Sequence, residues 1–325
     1  MQLSARLETW PIRGVFRIAR GEVRAVSCLV VEIEDGGVTG RGEAAPEPDV
    51  GTTGPLSMAL VEGVRSRIEA GVSREALQTL LPACPARNAI DCALWDLEAR
   101  RLKRSVASLA GLARSRPVQT VYTLSLDAPA AMAEAARARR HMPVLKIKLG
   151  GEGDDARVAA VRAAAPDSRL IVDANESWPA DDVERLLQRM ADLGVAMVEQ
   201  PLPKGGDERL AAIHRPLPVC ADESCSSRDD LPHLVGRYDM INIKLDKTGG
   251  LTEALALARA GQEAGLRLMV GCMVGTSLAM APAHLVAQLA ELVDIDGPLL
   301  LDRDREPGLR YDGAVVQPPS PSLWG

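Results

Sequence analysis

Aromatic side chains are almost absent from this sequence, with one Phe, three Tyr and four Trp in 325 residues. A core without large rings must be filled by Leu, Val, Ile, Ala and Met, which suits the branched-aliphatic interior of a parallel β/α barrel. Long apolar runs are missing as well. None approaches the ~18 residues that a membrane span needs, and Met1 to Trp10 lack the apolar stretch of a secretory signal. The six cysteines (Cys28, Cys84, Cys92, Cys220, Cys225, Cys272) form no C-x-x-C pair and no framework spacing. They read as reduced, mostly buried thiols of a cytoplasmic protein. Excess positive charge is lacking too: the net charge is −6. The densest basic cluster, Arg100, Arg101, Lys103 and Arg104, reads as a solvated helix end, so a nucleic-acid partner is not expected.

With 46% hydrophobic and 25% charged residues, the composition is that of a globular protein with room for a large domain and a smaller one. From about Val118 onward, short apolar runs alternate with helical stretches, the pattern of βα units and a parallel sheet. The runs are Val118–Leu124, Val144–Leu149, Leu170–Asp173, Val195–Glu199, Val219–Asp222, Met240–Lys244, Leu268–Gly271 and Leu292–Ile295. They predict an α/β fold: a modified TIM-type (β/α)7β barrel over residues 113–297. Residues 1–112 break this rhythm. Val23–Glu34 is a long β run, Asp35-Gly36-Gly37 a turn, and Gly40–Ala44 its returning partner. Helical stretches follow at Leu56–Ala70, Arg74–Leu81 and Ala86–Leu102. The reading is an α+β capping domain over 1–112, to which the Pro-rich segment 298–325 returns.

The chemistry lies in the last residues of the runs, because the active site of such a barrel sits at the C-terminal face of its strands. The second run ends in Lys146-Ile147-Lys148, the third in Asp173, the fourth in Glu199 and the fifth in Asp222. The sixth ends in Asn242-Ile243-Lys244, the seventh in Gly271-Cys272-Met273 and the eighth in Asp294-Ile295-Asp296. Taken singly, any of these is as well explained as a strand-end charge in water. Asp173, Glu199 and Asp222 on consecutive strands are harder to dismiss, since three converging carboxylates repel unless a cation sits among them. All-oxygen ligands favour Mg²⁺, with Mn²⁺ the alternative, over Zn²⁺. Lys148 and Lys244 stand four strands apart and face one another across the barrel mouth. From there each can take or deliver a proton on one face of a bound carbon. A Lys that acts as a base needs a lowered pKa, and Lys146, on the same side of the strand as Lys148, supplies the neighbouring positive charge.

In this order the K-x-K, D-x-N, E-Q-P, D-E-S and N-I-K elements, with the cap segment Arg87-Asn88-Ala89-Ile90-Asp91-Cys92-Ala93-Leu94-Trp95-Asp96, resemble the muconate-lactonising subgroup of the enolase superfamily. The resemblance covers nearly the whole chain. It implies Asp173, Glu199 and Asp222 as ligands of one Mg²⁺ and Lys148 and Lys244 as the acid/base pair. It also implies Lys146 as a contact to the substrate carboxylate that depresses the pKa of Lys148. The strand-8 pair Asp294 and Asp296 resembles the D-x-D motif of the dipeptide-epimerase branch, where it holds a free α-ammonium group. Two carboxylates at a site mouth favour a cationic group on general grounds too. The branch implies 1,1-proton transfer at the α-carbon of the C-terminal residue of a dipeptide, L-Ala-D/L-Glu, in recycling of cell-wall peptides, and a homo-oligomer. Cys272 and Thr123 are expected to touch substrate, although Thr123 is equally an ordinary strand residue. Among Arg13, Arg17, Arg20 and Arg24 of the cap loop, Arg24 is the expected contact to a substrate side chain. Val23 is the competing alignment at that position. Lys247 falls beyond the strand end and is the poorer base.

Within the same superfamily, o-succinylbenzoate synthase, N-acylamino acid racemase and muconate cycloisomerase chemistry are the competing readings, and the ammonium-seeking Asp294/Asp296 pair counts against substrates without an amine. A glycosidase explains neither lysine. A non-catalytic binding barrel has no physical reason to keep a buried, mutually repelling Lys pair.

Overall fold

The computed structural model describes residues 1–48 and 51–325. The N-terminal part is an antiparallel sheet of β1 (Gln2–Ile18), β2 (Gly21–Asp35) and β3 (Val38–Ala44) in that order. The β2–β3 hairpin forms where the Gly36-Gly37 turn required it. The long strand β1 has no clean alternation, because most of its residues are exposed or half-buried, and its pairing with β2 shifts register between Pro11 and Phe16. Three helices follow, α1 (Gly54–Glu69), α2 (Arg74–Leu80) and α3 (Pro85–Leu102); α1 and α3 cover the sheet and α2 packs on α3. Thr53 and Ser73 cap the first two, their hydroxyl oxygens accepting from the N–H groups of Leu56 and Ala76.

Leu29, Val31 and Ile33 of β2 meet Val61 and Ile68 of α1 and Ala89, Ile90 and Ala93 of α3 in one core. Each such large side chain contributes about 1.5–3 kcal/mol when fully buried. Helix α3 lies very close on β3. A Cβ at Gly40 would stand 2.2 Å from the Ala93 carbonyl oxygen, and one at Gly42 would stand 2.1 Å from that of Ala89. Only glycine admits this approach. The basic cluster ends α3 as expected: Lys103 adopts a left-handed φ of 52°, and Arg100 pairs with Asp96 at 2.8 Å.

The second part is the expected barrel. Eight parallel strands follow in sequence order: β5 (Tyr122–Leu124), β6 (Val144–Lys148), β7 (Arg169–Asp173), β8 (Val195–Glu199), β9 (Val219–Ala221), β10 (Met240–Ile243), β11 (Arg267–Val270) and β12 (Leu292–Val293). The sheet curls until its ends meet, where the Val121 N–H donates to the Val293 carbonyl at 2.9 Å. One strand differs from expectation, since the run Val118–Leu124 is not continuous. Its first part, β4 (Val118–Gln119), pairs instead with β14 (Val315–Val316), itself paired with β13 (Tyr311–Asp312). Successive amides point opposite ways there: Thr120 N–H goes to Ala314 O and Val121 N–H to Val293 O.

Side chains alternate across a strand, so every second residue enters the barrel. Val121, Val144, Ile171, Met197, Cys220, Met240, Met269 and Leu292, one per strand position, pack together as a separate apolar cluster. This layer holds no aromatic ring, as the composition demanded. Two residues further along each strand come Thr123, Lys146, Asp173, Glu199, Asp222, Asn242, Gly271 and Asp294. The polar constellation is therefore the next inward layer, stacked on an aliphatic floor.

The C-terminal segment returns to the N-terminal part. Trp324 Nε1 donates to Cys92 O at 3.1 Å, and Arg41 Nη2 donates to Ser322 O and Leu323 O. Among the described residues no helix is long and apolar enough to cross a membrane, and the six cysteines are unpaired.

Candidate active site

A cavity of about 460 Å³ opens at the C-terminal ends of the strands, beneath the cap. Lys146, Lys148, Asp222, Lys244, Thr123, Cys272, Asp294 and Asp296 all line it. Asp173 and Glu199 are fully buried and pair with the lining lysines Lys146 and Lys148. One carboxylate oxygen from each of Asp173, Glu199 and Asp222 falls within 4.8 Å of the others. The parity of the strands enforces this convergence, because all three occupy the same inward layer.

Four lysines surround the three acids. Lys148 Nζ lies 2.6 Å from Asp173 Oδ2, Lys244 Nζ 2.5 Å from Asp222 Oδ2, and Lys247 Nζ 2.6 Å from Asp222 Oδ1. Lys146 Nζ reaches Glu199 at 2.7 Å, Asp294 at 2.8 Å and Asp173 at 3.3 Å. Burial raises the Asp173 carboxyl, but Lys148 and Lys146 outweigh it and pull it down to about 2. Burial likewise raises Asp222, and Lys244 and Lys247 hold it well below the usual carboxylate range. Glu199 goes the other way: burial and the charge of Asp173 push it up to about 8. Burial and Asp294 push Asp296 up to about 7.

The donor set fits a hard divalent cation. Glu199 Oε2 and Asp222 Oδ1 are buried and accept no properly directed hydrogen bond, although ammonium groups lie close. Three carboxylates without His or Cys offer oxygen alone. Asp173, Glu199 and Asp222 are the residues that would hold the ion.

One site expectation is corrected. Arg24 does not reach the cavity: its side chain is 69% exposed on β2, 3.6 Å from Glu22. The bend of the β1–β2 hairpin carries Arg20 into the cavity instead, where Nη1 donates to Glu223 Oε1 at 2.9 Å and Glu176 Oε2 at 3.2 Å. At Lys244 burial lowers the pKa, but the Asp222 carboxylate against it wins and raises it.

Several residues that were not among the expected catalytic, substrate or metal residues also lie at the site. Lys247 turns back from the helical turn Leu245–Thr248 to Asp222 and donates to Asn242 O at 3.0 Å. Asn242 Nδ2 donates to Glu199 Oε1 at 2.7 Å. Its signal was present, since it stands two residues before Lys244 and so on the same face. Glu47, Asp246 and Glu223 also line the cavity. At the seam, Thr123 N–H donates to Asp296 Oδ2 at 2.6 Å.

Residues 1–111 match the family described as mandelate racemase / muconate lactonizing enzyme, N-terminal domain, and residues 129–321 match enolase C-terminal domain-like. The chain belongs to the enolase superfamily. Within that superfamily, the L-Ala-D/L-Glu epimerase of Escherichia coli (strain K12) is 47% identical over 306 residues, covering 94% of this chain and 95% of its own. The N-acetyl-D-glutamate racemase of a Pseudoalteromonas species is 49% identical over 245 residues, covering 75% of this chain and 78% of its own. Among solved structures, an enolase family member from Agrobacterium tumefaciens with homology to dipeptide epimerases, with bound sodium and L-Ala-L-Glu, superposes with a TM-score of 0.98. It is 47% identical, and 99% of each chain is covered. The dipeptide epimerase of Enterococcus faecalis complexed with Mg and L-Leu-L-Tyr superposes at 0.90 with 30% identity, covering 98% of this chain and 97% of the other. The chain is an isomerase of the racemase and epimerase class.

Proposed function

We propose that this enzyme is a Mg²⁺-dependent dipeptide epimerase that inverts the α-carbon of the C-terminal residue of L-Ala-D/L-Glu in the recycling of cell-wall peptides. The observation that carries the reading is the pair Lys148 and Lys244. They stand on β6 and just past β10, four strands apart, and each lies within 2.6 Å of a different acid of one buried triad. A substrate carboxylate held beside Lys146 at that triad leaves its α-carbon between the two lysines. One lysine, as the free amine, removes the α-proton and the other, as the ammonium, delivers a proton to the opposite face. A divalent cation on Asp173, Glu199 and Asp222, when bound, supplies positive charge against the carboxylate as its α-carbon becomes anionic. Lys146, between Glu199 and Asp294, adds a fixed positive charge beside the same carboxylate. Asp294 and Asp296, just past the last strand, receive the ammonium of the N-terminal residue. Thr123 and Cys272 line the wall between these ends, and Arg20 stands where a substrate side chain would reach the cap.

The relatives named as dipeptide epimerases, and the magnesium in one of their structures, support the reading. Its test is a screen of L-Ala-X dipeptides in D₂O by mass spectrometry, with and without Mg²⁺. One deuteron should enter the α-position of the C-terminal residue as stereochemistry scrambles, fastest for X = Glu. Absence of exchange with every dipeptide would sink it.

One observation favours a second reading, an N-acylamino acid racemase. Asp294 is already paired with Lys146, and Asp296 is pushed toward neutrality, so the pair attracts an ammonium less than two free carboxylates do. The N-acetyl-D-glutamate racemase relative points the same way. Changing both aspartates to Asn separates the readings. Dipeptide turnover should fall by ~10²-fold and N-acetyl-glutamate turnover much less, since a desolvated charge partner is lost only for the amine.

A further inference from the structure

Strain among the described non-glycine residues gathers beside the triad. Four have positive φ, and three of them, Asn175 (44°), Glu176 (67°) and Gln200 (33°), closely follow Asp173 and Glu199. Such conformations persist only where the surroundings enforce them. At Gln200 the surroundings are visible. Its N–H donates to Cys220 O at 2.9 Å, and its carbonyl accepts from the Glu176 N–H at 2.9 Å. Its side chain is fully buried and turns under the end of β9. There Oε1 accepts from the N–H groups of Asp222 at 2.8 Å and Ser224 at 3.1 Å. Nε2 lies within 3.0 Å of three oxygens, Leu202 O, Ser224 Oγ and Tyr238 OH, and the last two pass their own hydrogen bonds to Asp207. Two N–H donors on one side and a carbonyl on the other fix the orientation of the amide.

Gln200 therefore joins the ends of all three acid-bearing strands. It succeeds Glu199, holds the backbone three residues past Asp173, and clamps the amide of Asp222. It does not line the substrate cavity. We infer that Gln200 is the positioning residue of the metal site, setting the mutual spacing of Asp173, Glu199 and Asp222 before a cation arrives. This rests on the metal reading above. A preformed ligand set loses no free energy in gathering its members, and loss of an outer partner commonly weakens metal binding about 10- to 100-fold.

Two substitutions test it in the full chain. Gln200→Met keeps length and burial and deletes both hydrogen-bonding functions. Gln200→Glu keeps an oxygen for the Asp222 and Ser224 amides and gives up the Nε2 donations. Mn²⁺ titration followed by electron paramagnetic resonance should show binding about 10- to 100-fold weaker in Gln200→Met, and within about threefold of wild type in Gln200→Glu. Hydrogen exchange of the metal-free proteins gives an independent arm. The Asp222 and Ser224 amides should exchange at least about tenfold faster in Gln200→Met, with those of Ile241 and Ile243 unchanged. Should the wild-type chain bind no Mn²⁺, the metal reading fails and the exchange arm still decides the positioning role. A folded Gln200→Met with wild-type affinity and exchange overturns the inference. So does a Gln200→Glu that binds as weakly as Gln200→Met. If Gln200→Met does not fold, the Gln200→Glu affinity, or its exchange where no Mn²⁺ binds, decides by the same thresholds.

Discussion

Asn242 donates to Glu199 across the barrel interior, Nδ2 to Oε1 at 2.7 Å, past the intervening strand β9. The contact has room because position 271 has no side chain: a Cβ there would stand 2.6 Å from Asn242 Oδ1. This one bond orients the acid of the triad that burial pushes toward the neutral form.

Asn242→Leu should therefore weaken divalent-metal binding about 10- to 100-fold, as loss of an outer partner does. Gly271→Ala should act in the same direction by displacing the Asn242 amide. Calorimetric Mg²⁺ titration of each folded variant checks both. Wild-type affinity in Asn242→Leu would leave the bond without a role.

The two lysines should fail one face at a time. Lys148→Gln is expected to abolish α-deuterium exchange from one epimer of the dipeptide and Lys244→Gln from the other, each loss reaching ~10²–10⁴-fold. Exchange in D₂O, run separately on the two pure epimers, reads this. Equal loss from both epimers in both variants would contradict a two-base arrangement.

Arg24→Ala should change kcat/KM for the dipeptide by less than about twofold, since exposed surface positions contribute little. Arg20→Ala should lower it by about tenfold or more. It removes the cavity's cap-side cation and leaves Glu223 and Glu176 without their shared partner. Initial rates over a range of dipeptide concentrations separate the two.

Asp246 predicts a pH dependence of stability. Its Oδ1 accepts from Ala45 N–H and from Asn88 Nδ2, and burial pushes its carboxyl from 3.8 up to about 7. A carboxyl raised on folding favours the folded chain fully below its unfolded pKa, and that contribution is lost as pH climbs through the folded value. The wild type should lose stability from this group between about pH 4 and 7. Asp246→Asn keeps the acceptor and removes the titration. Its melting temperature should exceed that of wild type above pH 7, by a margin that shrinks toward pH 4. Parallel curves in differential scanning calorimetry would refute this.

The period-2 alternation made most of the site legible. Once a strand end carries an acid or a lysine, its parity decides whether it points inward, and Lys146, Lys148, Asp173, Glu199, Asp222, Lys244, Asp294 and Asp296 share that parity. Residues reached by other geometry were legible at best as candidates without a place. Arg20 depends on where a long hairpin bends, and the register shift between Pro11 and Phe16 leaves no mark in composition. Lys247 depends on a single helical turn that folds it back over Asp222. Gln200 stands one residue beyond the inward position and acts from behind the site. β4 escaped because its partner, β14, lies nearly two hundred positions away in the chain, and pairing at that range has no local signature.

The order of the strands has a consequence for how such a barrel can be altered. The acids and the lysine pair stand on β6 to β10 or just past their ends, whereas the carboxylates proposed to receive the ammonium sit just past β12 and Arg20 comes from the cap. On the proposed function, reaction type and substrate choice are carried on separable parts, and a new preference can be written into one without rebuilding the other. Lys146 is the exception, a single ammonium shared between Glu199 and Asp294. A replacement of Asp294 hands a buried, less neutralised charge back to the triad. Redesign toward substrates without an amine is therefore best begun at Asp296.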